Sequence, residues 1–385
     1  MPRGALRRSP RPLYPLTPTL SPGGRGRWLA LAMSLLLSLS ALAEERVLNV
    51  YNWSDYIAED TVKKFTAETG IKVNYDVYDS NEVLETKLTA GHSGYDIVVP
   101  TASPFMARQI QAGLLRKLDK AKLKNWGNLD PEILQRLARY DPGNDYAVPW
   151  MWGTVGIGYN VEMIKRIMAD ATVTSLRMLF DPAIVERFKS CGIELLDSPT
   201  DVLPAVLKFL GLDPDSQAKA DLDQAVAQLL KVRPAVRKFH SSEYINDLAN
   251  GNACLTFGYS GDIFQAAARA REAGQGVQVA YAIPREGALF WVDTMVLPKD
   301  ARDLDEAHLF LDFLMRPEIV AETTNRLGYA NANRASAPFI DAAIKRDPAV
   351  YPPDDVRATF YTISVPSPAY DRLRTRAWTR IKTGY

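Results

Sequence analysis

The sequence predicts an α/β protein made of two lobes, and three observations support this prediction. Short apolar or β-branched strands alternate with helical segments after residue 45, a pattern typical of βαβ units in which helices cover a parallel sheet. The alternation is interrupted at Val148–Thr154, and a second α/β region follows. Of the 385 residues, those beyond position 43 are enough for two domains.

The first α/β region begins with an apolar strand, and its elements end at recognisable stop signals. Gly70 ends the first helix, and Pro100 closes the third strand. Ser80 or Asn81 caps the second helix. The predicted elements are the strands Val47–Tyr51, Ile71–Tyr78 and Tyr95–Val99 and the helices Glu59–Thr69 and Glu82–Ala90.

The second region repeats the alternation of strands and helices. Its predicted strands are Val155–Asn160, Ile193–Leu196, Ala253–Tyr259, Val277–Ala282 and Phe290–Leu297. Its predicted helices are Asp201–Leu210, Ala218–Val232, Tyr244–Asn250, Ile263–Ala273, Leu304–Leu314 and Pro317–Arg326. A chain that crosses more than once between two such regions builds a hinged cleft.

The N-terminus predicts export. Six arginines precede an apolar run, Trp28–Ala43, which ends in the A-x-A pattern Ala41–Ala43 of a signal-peptide cleavage site. A membrane anchor is the alternative, but the run is shorter than the roughly 20 residues that span a bilayer. We expect residues 1–43 to be removed after Ala43, leaving a soluble periplasmic protein without a lipid anchor, since no cysteine follows the cleavage point.

Charge and cysteine content narrow the function further. The chain has 46 Lys+Arg and 45 Asp+Glu, and the predicted signal peptide holds six of the arginines and none of the acids. The mature protein is therefore mildly acidic, which argues against nucleic acid as a partner. Cys191 and Cys254 are the only cysteines, and in an oxidising compartment they predict one disulfide. Two buried free thiols are the alternative.

Motifs for enzymes and metals are weak. The three histidines, His92, His240 and His308, have no neighbour at metal-ligand spacing, and no phosphate-binding loop is present. The segment Gly258–Asp262, G-Y-S-G-D, lacks the final glycine of a G-x-S-x-G nucleophile elbow. His240 beside two serines keeps a secreted hydrolase as an alternative. We expect no cofactor and no metal.

Aromatic residues and acids lie together at the ends of predicted strands. These groups are Trp53–Tyr56, Tyr259 with Asp262, Phe290–Asp293 and Tyr329. In open α/β sheets, ligands bind beyond the carboxyl ends of strands. Carboxylates compensate buried ammonium groups, aromatic faces add cation–π attraction, and apolar walls receive methylenes. The combination favours an alkyl diammonium ligand, although each residue taken alone is more often structural.

The chain resembles the periplasmic polyamine-binding proteins, in particular the putrescine-binding branch, from about residue 46 to the C-terminus. The matching segments are 51–57 (YNWSDYI), 79–85 (DSNEVLE), 95–100 (YDIVVP), 154–160 (TVGIGYN), 240–251 (HSSEYINDLANG), 329–333 (YANAN) and 374–379 (RTRAWT). The resemblance implies a two-lobed, type II periplasmic binding-protein fold with the ligand cleft between the lobes. Lobe 1 would comprise residues 46–149 and about 292–325, and lobe 2 residues 150–291 and about 326–385.

The resemblance also implies roles for individual residues. Asp262 and Asp293 match the two acids that hold one ammonium, and Asp201 matches the acid that serves the other. Asp55 matches a position linked to choice among polyamines, and Cys191 with Cys254 matches the disulfide of the family. The matching aromatic walls and polar contacts are Trp53, Ser54, Tyr56, Thr101, Ser103, Tyr259, Trp291 and Tyr329.

Three departures from the putrescine branch bear on ligand length. Asp201 stands where that branch has Glu, so we expect its shorter carboxylate to reach the far ammonium through water. Tyr259 stands where that branch tends to carry Trp, and Trp291 where it often has Phe. Spermidine, agmatine and cadaverine are therefore alternative ligands.

The expected partners are a polyamine and the inner-membrane permease of an ABC importer, with the protein itself a monomer. A role in polyamine sensing is an alternative to import. An iron-binding protein of similar fold would need clustered Tyr or His ligands, whereas the aromatic residues here are interleaved with carboxylates.

Overall fold

One mixed β-sheet runs through the chain in the computed structural model, which describes residues 46–384. The predicted signal peptide, residues 1–43, lies outside the described residues. The strands are β1 (Val47–Trp53), β2 (Lys72–Tyr78), β3 (Ile97–Val98), β4 (Leu115–Arg116), β5 (Ala147–Asn160), β6 (Ile193–Leu195), β7 (Val236–Phe239), β8 (Leu255–Tyr259), β9 (Val279–Ala282), β10 (Leu289–Pro298) and β11 (Ala330–Asn331).

Helices cover this sheet. They are α1 (Thr61–Thr69), α2 (Asn81–Ala90), α3 (Ala107–Gln111), α4 (Pro131–Leu137), α5 (Val161–Ile167), α6 (Arg177–Phe180), α7 (Pro182–Phe188), α8 (Pro199–Phe209), α9 (Lys219–Val232), α10 (Tyr244–Ala249), α11 (Ser260–Ala273), α12 (Leu304–Leu314), α13 (Pro317–Leu327), α14 (Ala342–Lys345), α15 (Asp354–Arg357) and α16 (Pro368–Thr383). Short π or 3-10 segments lie at 102–106, 120–122, 126–128, 189–191, 233–235 and 334–339. Among residues 46–384, no helix is long and apolar enough to cross a membrane.

The sheet is parallel in its outer parts and antiparallel in its centre. Its order is β2-β1-β3-β10-β5-β8-β6-β7, with β4 paired to β10 and with β9 and β11 paired to β5. β1 pairs in parallel with β2 and β3, and β6 pairs in parallel with β7 and β8. β10 and β5 are antiparallel to each other and to their other neighbours. The expected parallel sheet is therefore confirmed only for the two outer parts.

The central strand β5 corrects a boundary predicted from sequence. A new strand was expected at Val155, but one strand of 14 residues runs from Ala147 to Asn160 and carries Pro149 inside it. Proline has no N–H, so it breaks the ladder of hydrogen bonds. The partner strand β10 shifts register between Val292 and Thr294, opposite Pro149. The predicted strand start at Val155 is thus wrong, because the interruption at Val148–Thr154 is a bulge within a continuous pair of strands.

Most other boundaries agree with the sequence predictions to within a few residues. Ser80, rather than Asn81, is the N-cap of α2, because its hydroxyl accepts a hydrogen bond from the Val83 N–H. α11 begins at Ser260, three residues earlier than expected, so that Asp262 lies in the first helical turn. The core is well packed, as where Phe65 of α1 lies edge-on to Phe310 of α12, with ring centroids 4.9 Å apart.

The predicted disulfide is confirmed. Cys191 and Cys254 are bonded, with Cα atoms 5.5 Å apart. Cys191 ends the 3-10 segment before β6, and Cys254 directly precedes β8. Since the backbone N–H of Cys254 also donates to the Gly192 carbonyl, the bond fastens the start of two adjacent parallel strands, β6 and β8.

Candidate functional site

All twelve residues predicted to bind ligand line one cavity of about 260 Å³. They are Trp53, Ser54, Asp55, Tyr56, Thr101, Ser103, Asp201, Tyr259, Asp262, Trp291, Asp293 and Tyr329. These residues come from segments more than 200 positions apart in the chain. The sheet brings them together because β1, β8 and β10 all end at or pass beside this cavity.

Asp262 is held by two tyrosines. It lies in the first turn of α11, where the helix dipole favours a negative charge. The Tyr329 hydroxyl donates to Oδ1 at 2.6 Å, and the Tyr244 hydroxyl donates to Oδ2 at 2.7 Å. Each carboxylate oxygen thus accepts one phenolic hydrogen bond. The two tyrosine hydroxyls therefore fix the orientation of the Asp262 carboxylate toward the cavity.

Asp293 is the single residue of β10 that lies opposite the bulge of β5. At the bulge its backbone pairs with Thr101 as an isolated bridge, and the Thr101 hydroxyl donates to Oδ1 at 2.7 Å. Asn81 holds Thr101 in turn, with its amide nitrogen 2.9 Å from Thr101 Oγ1. The buried Tyr56 hydroxyl faces the Asp293 carboxyl but makes no well-formed hydrogen bond. Asp293 is 5% exposed, which makes it the more deeply buried acid of the pair.

Burial makes both acids of this pair unusually weak. Burial raises the pKa of Asp262 to about 6, while hydrogen bonds from Tyr329 and Tyr244 oppose the shift. Burial raises the pKa of Asp293 to about 7, opposed by Thr101, and the charges of Asp201 and Asp262 push it further upward. Within residues 46–384, neither acid forms an ion pair with a lysine or arginine, although the charge of Arg269, which pairs with Asp55, also lowers the pKa of Asp262. A bound cation would supply the missing electrostatic compensation.

Asp201 has a different environment. It lies in the first turn of α8 and accepts a hydrogen bond from the Tyr259 hydroxyl at 3.0 Å. Burial raises its pKa, while bonds from Ser198 and Tyr259 and the charge of Arg374 oppose the shift. Asp201 thus has one direct tyrosine donor where Asp262 has two.

A row of aromatic rings connects the acids. The Trp291 ring lies 6.1 Å from the Tyr259 ring and 5.3 Å from the Tyr329 ring, both edge-on. Tyr259 binds Asp201 and Tyr329 binds Asp262, so the indole lies between the two acid sites. Gly153 permits this placement, because a Cβ there would lie 2.7 Å from the Trp291 ring.

Trp53 forms another wall of the cavity. Its indole N–H donates to the Val99 carbonyl at 2.8 Å, and its ring lies 4.8 Å from that of Tyr78. Both interactions fix the ring at the end of β1. An aromatic face held in this way is suited to lie beside an alkyl chain or an ammonium group.

Three of the predicted polar residues already have partners within the protein. The Asp55 carboxylate pairs with Arg269 at 3.1 Å, and Asp55 has a left-handed φ of 53°. The Ser103 hydroxyl donates to the Ile363 carbonyl. The Ser54 backbone N–H donates to the Tyr78 carbonyl at 3.0 Å. These residues line the cavity, and their internal bonds shape its rim.

Sequence reasoning missed several residues of the site. Asn81 was considered only as a helix cap, yet it holds Thr101. Tyr244 was considered only as part of a helix, yet it holds Asp262. Tyr244 does not itself line the cavity; the cavity-lining residues that were not predicted include, besides Asn81, Tyr78, Asp79, Phe105, Arg136, Arg139, Tyr140, Ser241, Ser242, Glu243, Asn246, Arg269 and Ile363. Their proximity arises from tertiary packing, for which no local sequence pattern exists.

The histidine beside two serines serves as a cap. His240 Nδ1 accepts the backbone N–H groups of Ser242 and Glu243, both at 3.1 Å, directly before α10. Its Nε2 lies 3.4 Å from the Glu243 carboxylate. The nitrogen nearest Ser242 Oγ is therefore engaged with the backbone. Within residues 46–384, no cluster of His, Cys, Asp and Glu is arranged to hold a metal ion.

Comparisons with known proteins show which family the chain belongs to. The chain is 50% identical over 365 residues to the putrescine-binding periplasmic protein PotF of Escherichia coli (strain K12), covering 93% of this chain and 98% of that protein. It is 51% identical over 358 residues to the putrescine-binding periplasmic protein SpuD of Pseudomonas aeruginosa (strain UCBPP-PA14), covering 92% and 97%.

Solved structures show the same architecture. A putative spermidine/putrescine ABC transporter from Listeria monocytogenes matches with a TM-score of 0.79 and 31% identity over 88% of this chain and 100% of that one. The type II periplasmic binding-protein fold expected from the resemblance is thereby confirmed. The family described as "Bacterial extracellular solute-binding protein" matches residues 60–352. The chain therefore belongs to the bacterial extracellular solute-binding proteins.

Proposed function

We propose that this protein captures a small polyamine, putrescine in first place, in the periplasm and delivers it to the permease of an ABC importer. One observation carries the proposal. Two buried carboxyls, Asp262 and Asp293, face one aromatic-walled cavity, and within the described residues neither is paired with a lysine or arginine. The names of the relatives from Escherichia coli and Pseudomonas aeruginosa point to the same ligand.

Energetics favour a ligand with charge at its ends. Four buried methylenes contribute on the order of 3 kcal/mol. Micromolar binding requires about 8 kcal/mol. The remainder must come from the ammonium groups, through charge-assisted hydrogen bonds and cation–π contacts. Asp262 and Asp293 would hold one ammonium, Asp201 would serve the other, and the rings of Trp53 and Trp291 would enclose the methylenes.

Binding would close two lobes about a hinge. The proposed lobes are residues 46–149 with about 292–325, and residues 150–291 with about 326–385. The chain would thus cross between them three times, twice inside the paired strands β5 and β10 and once near the end of α13. Two contacts join the proposed lobes. Asp55 pairs with Arg269 at the cavity, and Arg108 lies 3.4 Å from Asp371. A diammonium that bridges acids on both lobes would favour the closed state through contacts absent from the open one.

The proposal includes no catalysis. The protein would act as a monomer after removal of residues 1–43. Recognition of the closed form by a permease would distinguish import from a sensing role. Other cations, among them agmatine, cadaverine and spermidine, are the alternative ligands within the same mechanism, and two relatives are named for binding agmatine or cadaverine beside putrescine.

A thermal-shift panel tests the ligand class directly. The mature protein is heated with putrescine, cadaverine, agmatine, spermidine or spermine, and with 1-butylamine and 1,4-butanediol as controls that lack one or both charges. A ligand at 100 times its Kd stabilises the folded state by about 2.7 kcal/mol. The proposal expects a rise in Tm with at least one polyamine and little or none with the two controls. Equal shifts with butanediol and putrescine would contradict it.

A further inference from the structure

Tyr244 touches the proposed ligand site from outside the cavity. It is 1% exposed and is not among the residues that line the cavity. Its hydroxyl donates to Asp262 Oδ2 at 2.7 Å and accepts the backbone N–H of Tyr259 at 3.1 Å. One phenol thus connects an acid of the site with the last residue of β8. Tyr244 is the first residue of α10, and Asn246 in the same helix lines the cavity.

Tyr329 makes the complementary contact from the other side. Its hydroxyl donates to Asp262 Oδ1 at 2.6 Å and accepts the backbone N–H of Asp262 at 3.1 Å. Both oxygens of Asp262 therefore have a fixed donor. Because phenols stay protonated far above neutral pH, and burial raises the pKa of both tyrosines further, they act as donors throughout the physiological range.

Two glycines make room for these rings. A Cβ at Gly258 would lie 2.6 Å from the Tyr244 ring, and a Cβ at Gly261 would lie 2.3 Å from the Tyr329 ring. Both distances are too short for any side chain. The segment G-Y-S-G-D, which has the appearance of a nucleophile elbow, instead has its glycines where the two tyrosines approach Asp262.

We infer that Tyr244 is a positioning residue for ligand binding, one that never touches the ligand and acts by holding the Asp262 carboxylate in its receiving orientation. The inference rests on the proposed function, since it assigns Asp262 to an ammonium. It predicts that Tyr244 matters only as long as residue 262 is an acid.

The pH dependence of binding gives a readout that a purely structural role would not change. The groups that influence Asp262 are Tyr329, Tyr244, Asp55 and Arg269, and the bonds from both tyrosines lower its pKa. Asp262 has to be ionised to hold an ammonium, so affinity falls when the pH drops through its pKa. Loss of the Tyr244 hydroxyl raises that pKa. The loss of affinity therefore begins at a higher pH in Tyr244→Phe than in the wild type.

The test is isothermal titration of the mature protein with putrescine between pH 5 and pH 8. Tyr244→Phe is expected to weaken binding at pH 7 by about threefold to tenfold, because a hydrogen bond to a charged group is lost. In an Asp262→Asn background the same substitution should change the Kd by less than about twofold. An equal loss in both backgrounds would mean that Tyr244 acts only on the fold.

Tyr281→Phe is the matched control. Tyr281 also loses a side-chain hydrogen bond, that with Thr154 at 2.7 Å, but it does not line the cavity and does not touch Asp262. Its putrescine affinity and pH profile should equal those of the wild type. Failure of the wild type to bind any polyamine would overturn the proposed function, whereas normal wild-type binding with an unchanged Tyr244→Phe would overturn only the present inference.

Gly258→Ala tests the same contact without removing the hydroxyl. The added Cβ would lie 2.6 Å from the Tyr244 ring, so the ring has to shift and its hydrogen bond to Asp262 is disturbed. Weaker putrescine binding and an acid limb at higher pH are expected here as well. Unchanged affinity and pH profile in Gly258→Ala would contradict the inference, as the same result in Tyr244→Phe does on its own. A measurement at 10 °C serves if either variant is too unstable at 25 °C.

Discussion

The two acid sites of the cavity are built in different ways. At the paired-acid site, Asp262 lies on α11 and Asp293 on β10. Their carboxylates accept hydrogen bonds from the hydroxyls of Tyr244, Tyr329 and Thr101. At the single-acid site, Asp201 receives one tyrosine donor and feels the positive charge of Arg374. The first arrangement fixes two carboxylates of which Asp262 is partly compensated by the charge of Arg269, while the charge of Asp262 raises the pKa of Asp293. The second arrangement fixes a single carboxylate, which is partly compensated by Arg374.

This difference predicts that the two acid sites have different roles in ligand binding. The paired-acid site would supply most of the electrostatic attraction for an ammonium. The single-acid site would determine how long the ligand can be, because its acid is short and reaches toward the aromatic row. Substitutions at the two sites should therefore differ in magnitude and in kind, and five experiments can break or sharpen the comparison.

The largest effect is expected at the paired-acid site. Asp262→Asn and Asp293→Asn should each weaken putrescine binding at least tenfold, about 1.4 kcal/mol, because an amide cannot neutralise an ammonium. Titration calorimetry at pH 7.5 measures both. Asp223→Asn, which alters an exposed acid of α9 paired with Lys219, is the control and should leave the Kd unchanged. Wild-type affinity in both site variants would refute the assignment of the two acids.

Acidification should reproduce this effect without mutation. The pKa values of about 6 for Asp262 and about 7 for Asp293 mean that both acids take up protons between pH 8 and pH 5. Putrescine affinity should therefore fall more than tenfold over that range. A flat profile would show that neither carboxylate has to be ionised.

The raised pKa values of the two acids predict that the stability of the ligand-free protein changes with pH in the opposite direction to the affinity for putrescine. Both acids have a higher pKa in the folded protein than in the unfolded chain, so their protonation stabilises the fold. That contribution is present at low pH and is lost as the pH rises through about 6 to 7. The rise in Tm caused by putrescine should consequently grow from pH 5 to pH 8, which differential scanning fluorimetry can follow. An Asp262→Asn, Asp293→Asn double variant should lose most of this growth.

A smaller effect is expected at the single-acid site. Asp201→Asn should weaken putrescine binding by about threefold, since a water-mediated contact and a partly compensated charge contribute less than the paired acids. The comparison with Asp262→Asn under identical conditions is the measurement. A larger loss at Asp201 than at Asp262 would reverse the proposed division between the two sites.

Sequence reasoning predicted these sites unequally. The alternation of strands and helices predicted the α/β class, and the mixture of acids and aromatic residues predicted a cationic ligand, but the roles of single residues came from the family resemblance. What failed has a physical cause. A new strand was predicted to begin at Val155 because the alternation is interrupted at Val148–Thr154, whereas a bulge of β5 keeps Pro149 within one continuous strand and lies opposite Asp293.

Supporting contacts could not be predicted at all. Asn81, Thr101 and Asp293 form a chain of hydrogen bonds from three distant segments, and Tyr244 meets Asp262 only because α10 packs against α11. Neither contact leaves a periodic pattern in the sequence. The side chains that face the ligand could be identified from type and resemblance, while those that hold them required the fold.

The finest test concerns ligand length and uses the conservative substitution Asp201→Glu. The longer side chain advances the carboxylate by about one methylene toward the aromatic row and shortens the space between the two acid sites. The carboxylate would then contact the ammonium of putrescine directly rather than through water, which would raise the affinity by a few fold at most. Cadaverine, longer by one methylene, would fit less well.

The ratio of the two dissociation constants is therefore the informative quantity, and it should move by about threefold toward putrescine in Asp201→Glu. The ratio cancels general losses of stability, because both ligands are titrated into the same variant. Asp293→Glu is the matched control, since Asp293 is 5% exposed and an added methylene there should weaken both ligands alike. If the ratio changes equally in both variants, the cavity as a whole selects ligands by length and Asp201 does not determine that selection.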